Sequence, residues 1–222
     1  MSLLLPERIE IIKKRILTLG GMVEEAVSDA IRAVEDRSPE LADRVIATDR
    51  LIDQKEIELE EECLEALTLA QPVAFDLRFV VAVFKMNNDL ERIGDLAANI
   101  AEQAKLLADE RQLVHVPFDL RGMQLRAQAM LKQSLDALVH LDGDLAEIVC
   151  DADDRVDEIY RSMFEQVEDE IRRNPDQVPQ LIHFLTIARM LERVADHAVN
   201  IAEDVLYLKS GEICRHRNGK AL

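Results

Sequence analysis

The sequence has little of what interrupts a helix. Its 222 residues include 7 glycines and 6 prolines, with 2 tyrosines and no tryptophan. Good helix formers such as alanine, leucine and glutamate are abundant instead, so the composition favours long helices. No run of about 18 uninterrupted apolar residues occurs, and we therefore expect no membrane-spanning segment. Residues 1–6 carry no basic leader and no cleavage site, so we expect no signal peptide.

Cysteine and positive charge are also scarce. Cys63, Cys150 and Cys214 are far apart and odd in number, which suits reduced thiols of a cytoplasmic protein better than disulfides or a zinc knuckle. The 27 lysines and arginines are outnumbered by 44 aspartates and glutamates, which gives a net charge of −17. Such a surface repels nucleic-acid phosphates and anionic lipids. We therefore expect no nucleic-acid partner, and contact with a membrane only peripherally, through partner proteins.

Prolines and apolar periodicity divide the chain into six predicted helices. Ser38-Pro39 and Gln71-Pro72 are typical of helix starts, because proline is tolerated in the first turn. Between such points the apolar residues recur with helical spacing. The predicted helices span residues 6–36, 39–69, 72–110, 119–141, 144–173 and 178–209. Short connections make sequential helices antiparallel neighbours.

The second half of the chain repeats the first. The apolar series that begins at Leu41 recurs from Leu145, an offset of 104, and the series around Leu90 recurs around Leu191, an offset of 101. We therefore predict an all-α fold of two related three-helix bundles. The predicted domains are 1–114 and 115–210, and residues 211–222 are predicted to form a flexible basic tail.

Pairs of carboxylates four residues apart are the candidate metal ligands. On a helix this spacing places both side chains on one face, where like charges repel unless a cation offsets them. Oxygen-only ligands suit magnesium, calcium, manganese or ferric iron, and they tolerate zinc. The candidate pairs are Asp49/Asp53, Glu91/Asp95, Asp153/Asp157 and Glu192/Asp196.

One such pair means little in a chain with 44 acidic residues, because most lie on solvated helix faces. The repetition of the pairs distinguishes them. Asp49/Asp53 corresponds to Asp153/Asp157 and Glu91/Asp95 to Glu192/Asp196, under the same offsets as the apolar series. A solvated face has no reason to keep acids in register across two copies. If the helices pack as antiparallel neighbours, each bundle presents one acidic groove.

Neighbouring polar residues are weaker candidates. Arg92 and Arg193 follow the two glutamates, and either orient the carboxylates or are solvated charges. Further ligands, or residues that support ligands, are Asn99, Glu102, Asn200 and Glu203, although interhelical hydrogen bonds are an equal expectation for the asparagines. His197 has no counterpart in the first half, where Leu96 stands, and is expected to be peripheral.

Several segments carry a specific resemblance. These segments are 19–24, 41–46, 71–78, Asp89-Leu90-Glu91-Arg92-Ile93-Gly94-Asp95 and its repeat at 187–196. Taken together, they make the chain resemble the PhoU family over residues 3–209. The resemblance implies two three-helix bundles related by a pseudo-twofold axis. It also implies that the repeated acidic motifs hold iron or zinc. The oxygen-only ligands leave manganese, magnesium or calcium as alternatives. One departure is visible, since Ala195 stands where the first motif has Gly94.

The resemblance implies a regulator rather than an enzyme. Members of the family restrain phosphate uptake and the phosphate-starvation response, linking the ATPase of a phosphate ABC transporter to a phosphate-sensing histidine kinase. Many form homodimers. The residues themselves offer no nucleophile–base constellation and no glycine-rich phosphate loop.

Two alternatives stay open at this point. The first is a ferritin-like di-metal oxidase, although such sites use Glu-x-x-His and the chain has Gly94 and Ala195 three residues after its two glutamates. The second is a metal-free scaffold whose acidic faces dock basic partners.

Overall fold

The computed structural model describes residues 4–109 and 115–212. Within these ranges the secondary structure is helical throughout, and no strand is present. The helices are α1 (Leu5–Asp36), α2 (Pro39–Glu65), α3 (Ala74–Asp109), α4 (Leu120–His140), α5 (Gly143–Arg173) and α6 (Val178–Ser210). The predicted all-α fold with six helices is confirmed.

Local side chains fix where the helices begin. The Ser38 hydroxyl accepts a hydrogen bond from the backbone N–H of Leu41 at 3.2 Å, and Pro39 occupies the first turn of α2. Asp142 performs the same role for α5 by accepting from two backbone N–H groups, at 3.0 and 3.2 Å. Side-chain oxygens at these positions satisfy backbone donors that lack a partner within the helix.

The connection between α2 and α3 differs from the prediction. The second helix was expected to reach residue 69, but its regular part ends at Glu65 and a π-helical turn follows at Ala66–Ala70. The third begins at Ala74 instead of residue 72. Gln71 and Ala74 both have left-handed backbone conformations, with φ of 48° and 49°. Propensity alone does not signal this geometry, because neither residue is glycine.

Each half of the chain packs its three helices around an apolar core. Helix α1 packs on α2 and α3, α4 packs on α5 and α6, and α3 packs on α6 across the two halves. The seam of α3 is completely buried at Leu90, Ile93 and Ile100, and so is the corresponding seam of α6 at Leu191, Val194 and Ile201. The buried apolar faces therefore set which sides of α2 and α5 turn toward these helices.

Polar contacts join the two halves between α3 and α6. Asp89 accepts hydrogen bonds from His197 Nδ1 at 2.8 Å and from Asn200 Nδ2 at 3.0 Å. Farther along the pair of helices, the Lys85 ammonium lies 3.6 Å from the buried Asp204 and 5.5 Å from the centre of the Tyr207 ring. His197 is thus a bridge between the bundles, which the sequence did not predict.

Two expectations on organisation concern residues outside the described ranges. The predicted boundary at 114/115 falls on residues 110–114, outside the described residues, and most of the predicted tail also lies outside them. Both stay predictions. Among the described helices, none is long and apolar enough to span a bilayer.

Candidate functional site

In the first half, α2 and α3 bring their acidic pairs together. A β-carbon added to Gly94 on α3 would lie 3.6 Å from Asp49 Oδ1 on α2, so the two helices approach closely at this point. Burial raises the pKa of Asp49, and the charges of Asp53 and Asp95 raise it further. The four residues of the predicted first site are therefore neighbours, and they repel one another.

Glu91 is subject to the same forces. Burial raises its pKa first, then the charge of Asp95, while Arg92 opposes the shift. The smaller contributions of Asp53 and Asp49 come from the opposite helix. Arg92 Nε lies 3.6 Å from the carboxylate of Glu91, and Arg92 Nη1 lies 3.6 Å from the carboxylate of Asp95. This arginine therefore lies beside the acidic pair and partly offsets its charge.

The second half repeats this arrangement between α5 and α6. Burial raises the pKa of Glu192, followed by the charges of Asp157 and Asp153. The pKa of Asp196 rises to about 6, because of burial first and then because of Glu192 and Asp157. Arg193 counters both shifts in part, and Arg161 donates a hydrogen bond to Asp157. All four residues of the predicted second site thus lie close enough to repel one another as well.

The donor chemistry fits a hard cation. Oδ1 of Asp49 is buried and accepts no hydrogen bond from the described residues, although a buried carboxylate oxygen normally has a partner. Its surroundings are further carboxylates, which a cation would neutralise. Within the described ranges, the side chains of His, Cys, Asp and Glu form no group of three or more that could hold a metal ion in their present positions. Binding an ion therefore requires carboxylates to turn toward each other.

The additional candidates lie farther from this centre. Asn99 and Glu102 are exposed on α3. Asn200 is occupied by its hydrogen bond to Asp89, which is one of the two roles expected for it. Glu203 lies near Cys150, whose pKa rises to about 12 through burial first and then this glutamate's charge. None of these four residues contributes to the raised pKa values of Asp49, Glu91, Glu192 or Asp196, whereas the acidic pairs raise one another's.

The two acidic faces differ at one end, which the repeat pattern did not reveal. In the first half Glu56 extends the face, and its pKa is raised by burial, Glu60, Glu91 and Asp53. The buried Asn87 donates to the Glu56 carboxylate at 2.8 Å and to its backbone carbonyl at 3.0 Å. The offsets place Tyr160, Phe164 and Ala188 at the positions of Glu56, Glu60 and Asn87. Tyr160 and Phe164 pack edge to face, with ring centres 5.4 Å apart.

The difference between Gly94 and Ala195 has a packing explanation. A β-carbon on Gly94 would come within 3.0 Å of Ile52 Cγ2, closer than nearly all real contacts. The counterpart of Ile52 in the second half is Val156, which is one methylene smaller. Ile52, Val156 and Ala195 are all fully buried. The pair of glycine and isoleucine has the same number of side-chain carbons as the pair of alanine and valine. The two halves therefore fill the same side-chain volume at this contact.

Comparison with known proteins identifies the family. A family model described as the PhoU domain matches residues 16–104 and 120–205. The chain belongs to the PhoU family. The phosphate-specific transport system accessory protein PhoU homolog of Pseudomonas aeruginosa is 36% identical over 208 residues, which cover 94% of this chain and 86% of that protein. The Escherichia coli accessory protein PhoU is 33% identical over 215 residues, covering 96% and 88%.

Solved PhoU structures share the fold. The crystal structure of PhoU from Pseudomonas aeruginosa matches with a TM-score of 0.90 at 35% identity, over 93% of this chain and 99% of that one. The phosphate transport system regulatory protein PhoU from Streptococcus pneumoniae matches with a TM-score of 0.85 at 30% identity, over 94% and 98%. The resemblance predicted from the PhoU-like motifs is confirmed.

The packing exchange predicts coupled effects of mutation. Gly94→Ala alone should lower the free energy of unfolding by about 1–2 kcal/mol, because overpacking outweighs the gain of about 1 kcal/mol in helix propensity. Adding Ile52→Val should restore stability to the wild-type value or above, since it reproduces the packing of the second half. Urea denaturation of the two single variants and the double variant measures this coupling. Additive effects would contradict the explanation.

The raised pKa of Asp196 predicts the sign of a pH effect in metal-free protein. Its folded pKa of about 6 exceeds the ordinary 3.8, so the folded state binds this proton more tightly. The free energy of unfolding should therefore fall as pH rises through this window. At pH about 7.5, Asp196→Asn should add about 1 kcal/mol, less than the full shift because solvent screens the carboxyl.

Denaturation in the presence of EDTA at several pH values checks this prediction. Glu165→Gln serves as the matched control. It removes an exposed carboxylate on α5, whereas Asp196 lies on α6, and it should leave the pH profile unchanged. Equal pH profiles for the wild type and Asp196→Asn would show that this carboxyl is not destabilised by its neighbours.

Proposed function

We propose that this chain is the regulatory accessory protein of a phosphate-specific transport system. It restrains phosphate uptake and keeps the phosphate-starvation response off when phosphate is plentiful. It does so as a cytoplasmic homodimeric adaptor between the transporter ATPase and a phosphate-sensing histidine kinase. The observation that carries the proposal is the match to PhoU accessory proteins over nearly the whole of both chains. Those relatives bear the names of accessory proteins and not of enzymes, which favours a regulator over a ferritin-like oxidase.

The repeated acidic faces would hold the metal ions. In the first half the ligands are Asp49, Asp53, Glu91 and Asp95, and in the second half they are Asp153, Asp157, Glu192 and Asp196. The facing carboxylates and the buried Asp49 Oδ1 support this assignment. Iron or zinc is the expected ion, with manganese, magnesium or calcium as alternatives. When bound, such ions supply positive charge and coordination positions for phosphate oxygens.

The residues of the chain prepare each face for that charge. Packing of α2 on α3, and of α5 on α6, holds the carboxylates together despite their repulsion. Arg92 lies beside the first acidic pair and neutralises part of its charge. Bare carboxylates repel phosphate, so phosphate sensing on these faces requires the metal.

A metal-free docking scaffold is the second candidate. It is favoured by the absence, in the described ranges, of three or more potential ligands already grouped around one point. On this reading basic residues of a partner replace the cation, and partner binding weakens as salt concentration rises.

Loss of the chain tests the regulatory proposal directly. A strain without the protein should take up more phosphate and express phosphate-starvation genes in phosphate-rich medium, because the restraint on transporter and kinase is gone. Phosphate uptake and a starvation-promoter reporter measure the two effects. Expression of the wild-type chain should restore repression. Unchanged uptake and unchanged reporter activity would contradict the proposal.

Metal content tests the acidic faces. Untagged protein should contain near-integer amounts of a metal by elemental mass spectrometry. A variant with Glu91→Gln, Asp95→Asn, Glu192→Gln and Asp196→Asn should lose that metal, because neutral amides are weaker ligands than carboxylates. Glu165→Gln with Asp169→Asn, an exposed pair at the same spacing on α5, is the matched control. Phosphate should bind the loaded wild type and not the EDTA-stripped protein. Phosphate binding to stripped protein would exclude a metal-mediated sensor.

A further inference from the structure

One end of the first bundle carries an unusual number of exposed apolar side chains. Helix α1 begins there, α2 ends there and α3 begins there. Leu4, Leu69 and Val73 are 70%, 65% and 73% exposed. We call this set the apolar tip, which comprises Leu4, Leu64, Leu69, Val73, Phe75 and Leu77. Clusters of this kind on a chain that is otherwise highly charged mark interaction sites.

The fold itself does not require apolar residues at this end. The second bundle has charged residues at the positions of three of the six tip residues, and an apolar residue, Val178, at the position of Leu77. Under the offsets of the repeat, Leu64 corresponds to Glu168, Leu69 to Arg173 and Phe75 to Asp176. Glu168, Arg173 and Asp176 are all exposed. The second half is therefore an internal control, because the same bundle forms there with charged residues at these three positions.

The backbone of the tip is specialised in the same place. The π-helical turn Ala66–Ala70 and the left-handed residues Gln71 and Ala74 lie between α2 and α3. The connection between α5 and α6 has a 3₁₀ turn at Pro175–Gln177 and no residue with positive φ. Left-handed backbone is strained at residues other than glycine, and π turns are frequent at functional sites.

A buried ion pair holds the tip in position. Arg8 on α1 is 5% exposed, and its Nη1 lies 2.8 Å from Glu62 and 2.9 Å from Glu65 at the end of α2. Pro72, in the connection itself, is also buried. The apolar side chains are therefore presented by an anchored segment, which reduces the entropy lost on binding.

Charge around the tip identifies the class of partner. The exposed acids at this end are Glu7, Glu61 and Glu65, and the partly exposed Asp76 begins α3. Two arginines lie nearby: Arg8 is buried in its ion pair, and Arg78, which follows Leu77 on α3, is partly exposed, so the acids outnumber the available cations. An acidic rim around apolar side chains complements a surface with an apolar groove and a basic rim, and it opposes an anionic membrane.

We propose that the apolar tip is a docking surface for a partner protein that presents an apolar groove bordered by lysine or arginine. The proposal rests on the proposed adaptor function, and it assigns one end of the first bundle to partner binding. The acidic faces then remain available for cations. The pseudo-symmetric chain thus binds this partner through one half only.

The test exchanges tip residues for their own counterparts. The tip variant carries Leu69→Arg and Phe75→Asp, both of which the second half tolerates at the same positions. The control carries Leu125→Arg and Ile148→Asp, at apolar positions that are 59% and 55% exposed outside the tip. Circular dichroism and thermal unfolding establish that both variants fold. Binding to the purified transporter ATPase and to the cytoplasmic part of the kinase is measured by biolayer interferometry.

The tip variant should bind at least one of these proteins about tenfold more weakly or worse, as expected for loss of apolar anchors, while the control stays within about twofold. Glu61→Lys with Asp76→Lys should weaken the same complex most strongly at low salt. Equal binding by the tip variant and wild type would overturn the docking surface and leave the adaptor function standing.

Two further results would also overturn the proposal. If the wild type binds neither protein, the adaptor function fails, and the docking surface fails with it. If the wild type instead binds vesicles containing phosphatidylglycerol, and the tip variant does not, the tip is a lipid-binding surface and the proposal of a protein partner is wrong.

Discussion

The approach of two apolar helix faces forces like charges together in this protein, and most of its features follow from that conflict. Ile52 on α2 and Ile93 on α3 are fully buried beside the carboxylates of Asp49 and Asp95. Burial of one such side chain contributes about 1.5–3 kcal/mol, whereas repulsion between neighbouring exposed charges costs a few tenths. The core therefore wins, and it holds the acids in place whether or not a cation is bound. The acidic faces are a consequence of tight packing and not of local helix chemistry.

The same backbone plan carries two different surfaces. The first bundle extends its acidic face with Glu56, which the buried Asn87 holds, and it ends in the apolar tip. The second replaces the extension with the aromatic pair Tyr160 and Phe164 and ends in charged residues. Because both halves build the same three-helix bundle, neither of these surfaces is required by the fold. The two halves of this PhoU-family chain therefore present different surfaces.

Much of this arrangement could be predicted from the sequence, and the failures have a physical pattern. Helix starts such as Ser38-Pro39 depend on neighbours in the chain, and the acidic pairs depend on spacing and repetition. Both could therefore be predicted from the sequence. The bridge from His197 to Asp89 joins residues 108 positions apart, and no local signal encodes such a contact. The π turn at Ala66–Ala70 was missed because its residues, an alanine and a leucine on each side of Thr68, continue the helical pattern of α2 without a local break. The long-range polar contacts and the irregular backbone therefore needed the structure.

The exchange between Gly94 with Ile52 and Ala195 with Val156 also bears on how the duplicated halves diverged. Mixing the pairs places a β-carbon 3.0 Å from Ile52 Cγ2 in one combination and removes a methylene without replacement in the other. A lineage that moves from one solution to the other must pass through a less stable intermediate or change both positions together. This is epistasis within a single contact. Averaging the two repeats, as in consensus or ancestral reconstruction, would place incompatible residues opposite each other at the point where the acidic helices come closest.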